Sequence, residues 1–414
     1  MKEATLETPS SPPETVQLPL HRRIIWRIGW LLVTVMVVIL LRVRVTGWRN
    51  VPRTGGALIV ANHTTAMDFL MPIWGAWRPV FAIGSEQVFK IPVAGFLLRL
   101  FNGAPVAQGV KDRGAVLHLV EAYQKGQLIS MFPEGKRSWT GRPLPMTPGS
   151  GRLVKSLGCP VVYCRITTGY LQRPRWAAWP RFVPWRMSYD PPVTYPADAT
   201  AEEITRDMSR RLAINPDDIK APPFSFGFWM AEGLPAFLWA CPSCFAVSSL
   251  EVLPDNRSAI HCTACHATWD VDVSTRLTRR DRAEVMTVAA ASEKIGGHFS
   301  RALDQARWEH EGLALTAESA QVFRLHRGQP TPELLTEGTA RMYSDRLEVG
   351  REGGPGGVVI PLVDIRAAIL EFRSQLVIRT ADNTYLVVPG KDSPHMWHHF
   401  LMAQVKAAGL EIRS

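Results

Sequence analysis

"LIVANHTTAMDFLMP", Leu58 to Pro72, decides how this chain is read. An apolar run, Leu58–Ala61, has the length and composition of a buried strand. It stops at Asn62-His63, and Asp68 follows five residues after the histidine. The stretch from Met67 to Trp77 reads as the start of a helix. A histidine and an aspartate therefore meet at a strand-to-helix junction. There an Asp can hydrogen-bond one ring nitrogen, fix the tautomer and leave the other nitrogen as a general base.

Outward from that junction, strands alternate with helices. "RVRVTGW" (44–48 with its flanks) alternates like an edge strand, and "NVPRTGG" is turn chemistry. "VFAIG", "QLISM" and "GCPVVYCRI" read as further strands. "VFKIPVAGFLLRLFNG" reads as a turn and an amphipathic helix. "GAVLHLVEAYQKG" reads as a helix with Leu117, Val120 and Ala122 among its apolar positions. "ATAEEITRDMSRRLAI" reads as a helix with Thr200 as N-cap. The alternation indicates an α/β domain with a mixed, largely parallel sheet and helices on its faces. Sites in such sheets sit at the carboxyl ends of strands. "MFPEGKRSWTG" (131–141) puts a glutamate, a glycine turn and two cations at the end of another strand. That set suits a phosphorylated, hydroxyl-bearing ligand.

The 414 residues carry a net charge of +10, which favours anionic partners. Residues 1–20 are polar and proline-rich, as in a disordered tail. The apolar run Ile28–Leu41 spans about 21 Å as a helix, against about 30 Å of hydrocarbon. With Ile24–Trp26 and a snorkelling Arg27 it approaches a full span. It lacks a small-residue cleavage site, so residues 21–45 are expected to be a retained membrane anchor. "LQRPRWAAWPRFVPWRM" (171–187) interleaves Trp, Arg and Pro, a composition suited to a membrane interface.

"ACPSCFAVSSLEVLPDNRSAIHCTACHATW" gives Cys241-x-x-Cys244 and Cys262-x-x-Cys265. Two such knuckles around a β-rich loop match a zinc ribbon over 236–275, with a structural zinc in a closed tetrathiolate set. This is metal-ligand spacing and not that of a small disulfide scaffold, so a reducing compartment is expected. A helical linker is expected over 276–310. From 311 to 412 a series of strands and one C-terminal helix, opened by Ser393-Pro394, look like a β-rich pleckstrin-homology or GRAM-like domain.

Two of these motifs together resemble a known family. "NHTTAMD" matches the NHxxxxD block of the glycerolipid (1-acylglycerol-3-phosphate) acyltransferases, and "FPEGKRS" matches their FPEGTRS block. The flanks "VTGWRNVP", "FKIPVAGFLLRLFNGAPV", "MTPGSGRLVKSLGCPVVYCRI" and "YDPPV" are also similar, and an acyltransferase domain is expected over 46–225. The resemblance implies that His63 is the base on an acceptor hydroxyl and that Asp68 orients it. It implies that Glu134, Gly135, Lys136, Arg137 and Ser138 hold the acceptor, that Pro160 shapes the site's floor and that Asn62 fixes the loop. No catalytic cofactor is implied. The donor is an acyl thioester, of coenzyme A or acyl carrier protein.

Two positions depart from the family. The arginine usual in the middle block is replaced by Gln108 or Gly109, with Arg113 or Lys111 as possible substitutes, and Lys136 stands where threonine is usual. The acceptor is thereby open: 1-acylglycerol-3-phosphate, another lysophospholipid, or a different hydroxy- or amino-lipid.

The expected protein is a membrane-bound O-acyltransferase of phospholipid biosynthesis or remodelling, with its catalytic domain facing the cytoplasm. Its expected partners are membrane lipids, a lysophospholipid and the acyl donor, with a protein partner on the ribbon or the C-terminal domain. The alternative is a non-catalytic lipid-binding adaptor, which has no need of an oriented base. A nucleic-acid-binding ribbon protein would explain the charge but not the apolar segment, so no nucleic acid is expected.

Overall fold

The computed structural model describes residues 20–39, 41–85, 89, 95, 104–106, 113–147, 149–306, 313–326, 331–350, 357–371 and 375–412. The chain divides into two compact units. Unit 1 comprises residues 1–175 and 180–227; unit 2 comprises 176–179 and 228–414. The helix expected over "VFKIPVAGFLLRLFNG" lies largely outside the described residues.

Unit 1 opens with α1 (Leu20–Ile39) and edge strand β1 (Arg44–Thr46). It continues with β2 (Ala57–Ala61), α2 (Leu70–Gly75), β3 (Val80–Ser85) and β4 (Ala104–Val106). Then follow α3 (Arg113–Gln124), β5 (Leu128–Met131), α4 (Gly149–Leu157), β6 (Val161–Ile166) and the short α5 (Gly169–Gln172). β7 (Arg181–Phe182), β8 (Arg186–Tyr189), α6 (Ala201–Arg211) and β9 (Phe226–Gly227) complete it.

The main sheet runs β1-β8-β6-β2-β5-β3-β4. All neighbours are parallel except β6 and β8, so the mixed, largely parallel sheet is observed. β2 is central, and all five of its residues are buried. Strand side chains alternate between faces. Ala57, Ile59 and Ala61 accordingly join one core with α2, Trp185, Met187 and Tyr189. Leu58 and Val60 join the other, with Leu119 and Ala122 of α3, Val154 and Leu157 of α4, and Ile204 and Met208 of α6. Burying each large aliphatic side chain is worth about 1.5–3 kcal/mol. Thr200 caps α6 in a reciprocal capping box with Glu203.

Several expectations are corrected. Leu117 is exposed, because the buried stripe of α3 falls on Leu119 and Ala122. The segment 21–45 is not one anchor helix. α1 stops at Ile39, Leu41 and Val43 pack on the sheet core, and β1 follows. Among the described residues no helix is long and apolar enough to cross a membrane. α1 instead docks by one face. Trp30 Nε1 donates to Trp74 O at 3.2 Å, and Trp74 Nε1 donates to Thr34 Oγ1 at 2.9 Å. Ile28, Leu31, Leu32, Val35, Val38 and Ile39 are exposed. The Trp/Arg stretch is not a uniform interface segment either. Trp176, Trp185 and Arg181 are fully buried, whereas Trp179 and Phe182 are exposed.

Unit 2 gathers Trp176–Trp179 with α7 (Leu234–Leu238) and a five-stranded antiparallel meander. Its strands are β10 (Leu250–Val252), β11 (Ala259–Cys262), β12 (Thr268–Val271), β13 (Arg276–Arg279) and β14 (Val285–Thr287). Residues 276–287, expected to begin a helical linker, thus belong to the sheet. The period is two: Leu277 is buried and Thr278 exposed. The helix, α8, spans Val288–Ala306.

Next come β15 (Leu315–Arg324), β16 (Glu333–Met342), β17 (Arg346–Gly350) and β18 (Val358–Pro361). β19 (Ala367–Glu371), β20 (Gln375–Arg379) and β21 (Thr384–Val388) precede α9 (Pro394–Ala407). The sheet order is β18-β17-β16-β15-β21-β20-β19, antiparallel throughout. The first strand is therefore central, pairing with both the second and the last. α9 buries Trp397, Leu401 and Val405, and Ser393 caps it by accepting the His395 N–H.

Candidate active site

β2 ends at Ala61, and Asn62 extends its pairing with β6. Its Oδ1 accepts the Ile166 N–H at 2.7 Å, and its Nδ2 donates to Ile166 O at 3.1 Å. Both amide groups are thereby used, so Asn62 fixes the loop and has little left for a ligand. The chain then turns so that the buried Asp68 carboxylate accepts from the amides of Thr64 and of Thr65, the latter at 2.7 Å. The same oxygen, Oδ2, faces His63 Nδ1 at 3.1 Å. A carboxylate that ionises can only accept, so Nδ1 carries the proton and Nε2 holds the lone pair. Among the described residues no group hydrogen-bonds Nε2. Burial lowers the pKa of His63, and Arg137 and Arg175 push it the same way, against an opposing pull from Asp68. The ring is therefore neutral near pH 7 and able to accept a proton.

The second motif clamps this histidine. Ser138 N donates to His63 O at 3.0 Å, and His63 N donates to Glu134 Oε1 at 3.0 Å. Glu134 Oε2 accepts from Leu144 N at 3.0 Å. Burial raises the Glu134 pKa to about 7, although both backbone hydrogen bonds oppose it. Phe132 stacks on the imidazole, with ring centroids 4.3 Å apart. The turn needs Gly135, whose φ is +69° and whose Cβ position lies 2.9 Å from Thr147 Cγ2. Lys136 and Arg137 are half-buried, and Ser138 is buried.

His63, Asp68, Glu134, Gly135, Lys136, Arg137 and Ser138 thus come together at the carboxyl ends of β2 and β5. Pro160 does not join them. It precedes β6, which runs parallel to β2, and its carbonyl accepts the Leu58 N–H at 2.9 Å. It therefore sits at the opposite edge of the sheet. Arg113 opens α3, but its side chain lies outside the described residues, as do Gln108, Gly109 and Lys111.

Three contributors were not among the expected site residues. Phe132, inside the second motif but given no role there, supplies the stack. Gly169 opens α5, and its Cβ position lies 3.1 Å from both Asp68 Oδ1 and Thr64 Oγ1. Arg175 donates to Arg137 O at 3.2 Å, with its guanidinium 3.9 Å from the Trp139 ring centroid.

With this geometry in place, the comparisons with known proteins fall on the same stretch. Residues 42–167 match the family model described as Acyltransferase. That stretch is similar to the acyltransferase family over about 30% of the chain. Among curated proteins, the 1-acyl-sn-glycerol-3-phosphate acyltransferase of Borreliella burgdorferi is 24% identical over 124 residues, 30% of this chain and 50% of that protein. The namesake of Limnanthes alba is 28% identical over 145 residues, 33% of this chain and 50% of its own. The chain spans about half the length of these curated relatives. The crystal structure of the 1-acyl-sn-glycerophosphate acyltransferase of Thermotoga maritima aligns with 46% of this chain and 76% of its own, at 26% identity and a TM-score of 0.39. Gly169 and Arg175 lie just past the end of the acyltransferase match.

In unit 2, Cys241, Cys244, Cys262 and Cys265 converge, their Sγ atoms all within 4.8 Å of one another. The pairs Cys241–Cys265 and Cys244–Cys262 are 3.8 and 3.7 Å apart. These distances exclude disulfides, whose S–S length is about 2.05 Å. A tetrahedron of sulfurs around zinc at about 2.3 Å has edges of about 3.8 Å, so the four thiols fit that ion. The buried Arg279 lies beside them, donating to Ser243 Oγ at 2.7 Å.

Proposed function

We propose that the protein is a membrane-associated O-acyltransferase that moves a fatty acyl group from an acyl thioester to the hydroxyl of a lysophospholipid. The observation that carries this is the His63–Asp68 pair: Nδ1 is held by a buried carboxylate, and among the described residues nothing bonds Nε2 at the sheet's carboxyl edge. Nε2 takes the proton of the acceptor hydroxyl as its oxygen attacks the thioester carbonyl. The tetrahedral intermediate collapses with cleavage of the C–S bond. The leaving thiolate takes the proton back from the imidazolium, so ester and free thiol are the products and the enzyme is restored. Asp68 keeps the tautomer throughout and stabilises the transient imidazolium.

Thiol release from oleoyl-coenzyme A, measured in detergent across a panel of lysophospholipids and glycerol 3-phosphate, tests the reading. Release that depends on an acceptor and disappears in His63→Ala is expected. Equal release from the variant contradicts it.

Two further roles belong to the same reading. The exposed apolar face of α1 supports attachment along a membrane surface, with the exposed Arg27 at headgroup level. The four thiolates of unit 2 support a structural zinc: the set is closed, leaving no position for substrate. The topology of β15–β21 and α9 supports the pleckstrin-homology-like assignment of the C-terminal strands.

A further inference from the structure

The two cysteine knuckles of unit 2 are one backbone turn made twice. In the first, Cys241 N donates to Ala246 O at 3.0 Å and Phe245 N donates to Cys241 O at 2.9 Å. In the second, Cys262 N donates to Ala267 O at 2.9 Å and His266 N donates to Cys262 O at 2.9 Å. The residue after the second cysteine of each pair is left-handed, with φ of +61° at Phe245 and +59° at His266. That region suits glycine and asparagine and disfavours a bulky ring. The use made of the ring separates the twins. His266 is exposed. Phe245 is half-buried and lies face to face on His298 of α8, with centroids 3.9 Å apart and planes 3° from parallel.

Two more links run from the first knuckle to α8. Trp239, two residues before Cys241, is buried and meets Phe299 with centroids 4.7 Å apart. Ser243, inside the knuckle, accepts from Nη1 of the buried Arg279 at 2.7 Å. The same Nη1 stands 3.6 Å from Glu284 Oε2, and Glu284 Oε1 stands 3.7 Å from Lys294 Nζ on α8. Lys294 and His298 are four apart, on one face of the helix, and Phe299 lies beside them.

Taking the four thiols as a zinc site, we propose that this site locks α8: with metal bound, the knuckles hold Trp239, Ser243 and Phe245 where the helix docks, and residues 294–300 loosen when the metal is removed.

The sulfurs lie within 4.8 Å of one another and tie the first knuckle to the second, whose Cys262 ends β11. A metal site of this kind takes thiolates. Four like charges at that spacing repel unless a cation sits among them. Removing the ion therefore leaves the first knuckle held by its own turn, and Phe245 and Ser243 lose a fixed seat. The amino-terminal part of α8 has anchors of its own, the buried Val288, Ala291 and Ile295. The expected change is thus a local loosening, not loss of the helix. Phe245 bears the strain of its left-handed backbone in exchange for the contact with His298.

Hydrogen–deuterium exchange of the full-length protein in detergent tests the lock. Mass spectrometry reads peptides covering 294–300, with β20 and β21 as the control. The protein is compared as loaded with Zn²⁺, after EDTA and after Zn²⁺ is restored, with zinc content measured at each step. Metal removal is expected to speed exchange at 294–300 about tenfold or more and the control by no more than about twofold, with recovery on Zn²⁺ addition. Phe245→Asn removes the ring and keeps a residue suited to the turn. It should hold one zinc per chain and still exchange at 294–300 about threefold faster or more, the scale of one lost ring pair.

Unchanged exchange at 294–300 in zinc-free protein, or equal acceleration in the control, would overturn the lock and leave the zinc reading standing. So would wild-type exchange in zinc-loaded Phe245→Asn. A chain that takes up no Zn²⁺ would overturn the zinc reading and the lock with it.

Discussion

The two polar constellations of this chain are built alike and end differently. His63 and Asp68 follow a strand end; Cys262 ends β11, Cys265 lies on the turn after it, and Cys241 and Cys244 lie on a turn before β10. Both are held by backbone amides: Asp68 by Thr64 and Thr65, and Cys241 and Cys262 by the N–H groups of Ser243 and Cys265. Among the described residues the histidine site leaves one ring nitrogen without a partner, at the sheet edge where strands offer ligands. The four thiols close on one another and leave no direction free. An open donor set does chemistry on something that arrives; a closed one holds something that stays.

The difference makes opposite demands, and a pair of substitutions separates them. His63→Ala should lower kcat by about a thousandfold or more, since general-base catalysis alone is worth about 10²–10⁴. Its zinc content should remain one ion per chain by elemental analysis. Cys262→Ser should show the reverse emphasis: loss of bound zinc and a cooperative unfolding transition of unit 2 shifted to lower temperature, because metal binding energy at such sites is folding energy. Zinc loss in His63→Ala, or full zinc retention in Cys262→Ser, would break the contrast.

Gly169→Ala sharpens the contrast from the histidine side. The new methyl meets Ile166 Cγ2 at 2.9 Å and the Asp68 and Thr64 oxygens at 3.1 Å. The expected result is a fall in kcat of about tenfold to a hundredfold through a displaced base, with a melting shift much smaller than that of Cys262→Ser. An unchanged kcat would show that α5 does not position the dyad.

The smallest effect is in pH. Burial raises Glu134 to about 7, above its unfolded value near 4.5. The unfolded chain therefore loses this proton first as pH rises. The stability tied to it is full below about 4.5 and is lost as pH climbs through about 7, by on the order of 1–3 kcal/mol. Glu134→Gln should flatten that slope in denaturant melts at pH 5 and pH 8. His63 acts on the rate: its lowered pKa puts the acid limb of kcat/KM below pH 6.5, and Arg137→Gln should move that limb upward.

The dyad was legible because its parts are five residues apart and a strand end declares itself in composition. The sheet was legible for the same local reason: β2, β5 and β6 are short apolar runs bounded by turns. Arg175 was not, because it reaches the site across a loop, 38 residues from the carbonyl that receives it. Pro160 was misplaced because a motif fixes sequence order and not which end of a strand it occupies. Composition misled at Trp176 and Trp185, since an indole looks the same in a core as at a membrane surface. At residues 276–287 alternation was the deciding signal: buried Leu277 and Arg279 flank exposed Thr278, and the arginine's body counts as apolar where it lies over Trp269.

The central claim is that Nε2 of His63 deprotonates an acceptor hydroxyl for direct attack on a thioester. Mass spectrometry of lipid products tests it, using isotopically labelled oleoyl-coenzyme A and 1-oleoylglycerol 3-phosphate with wild type and His63→Ala. The account predicts labelled diacyl product from the wild type, none from the variant, and no acyl group left on the protein at any time. Labelled product from His63→Ala, or a covalent acyl-enzyme in the wild type, would contradict it.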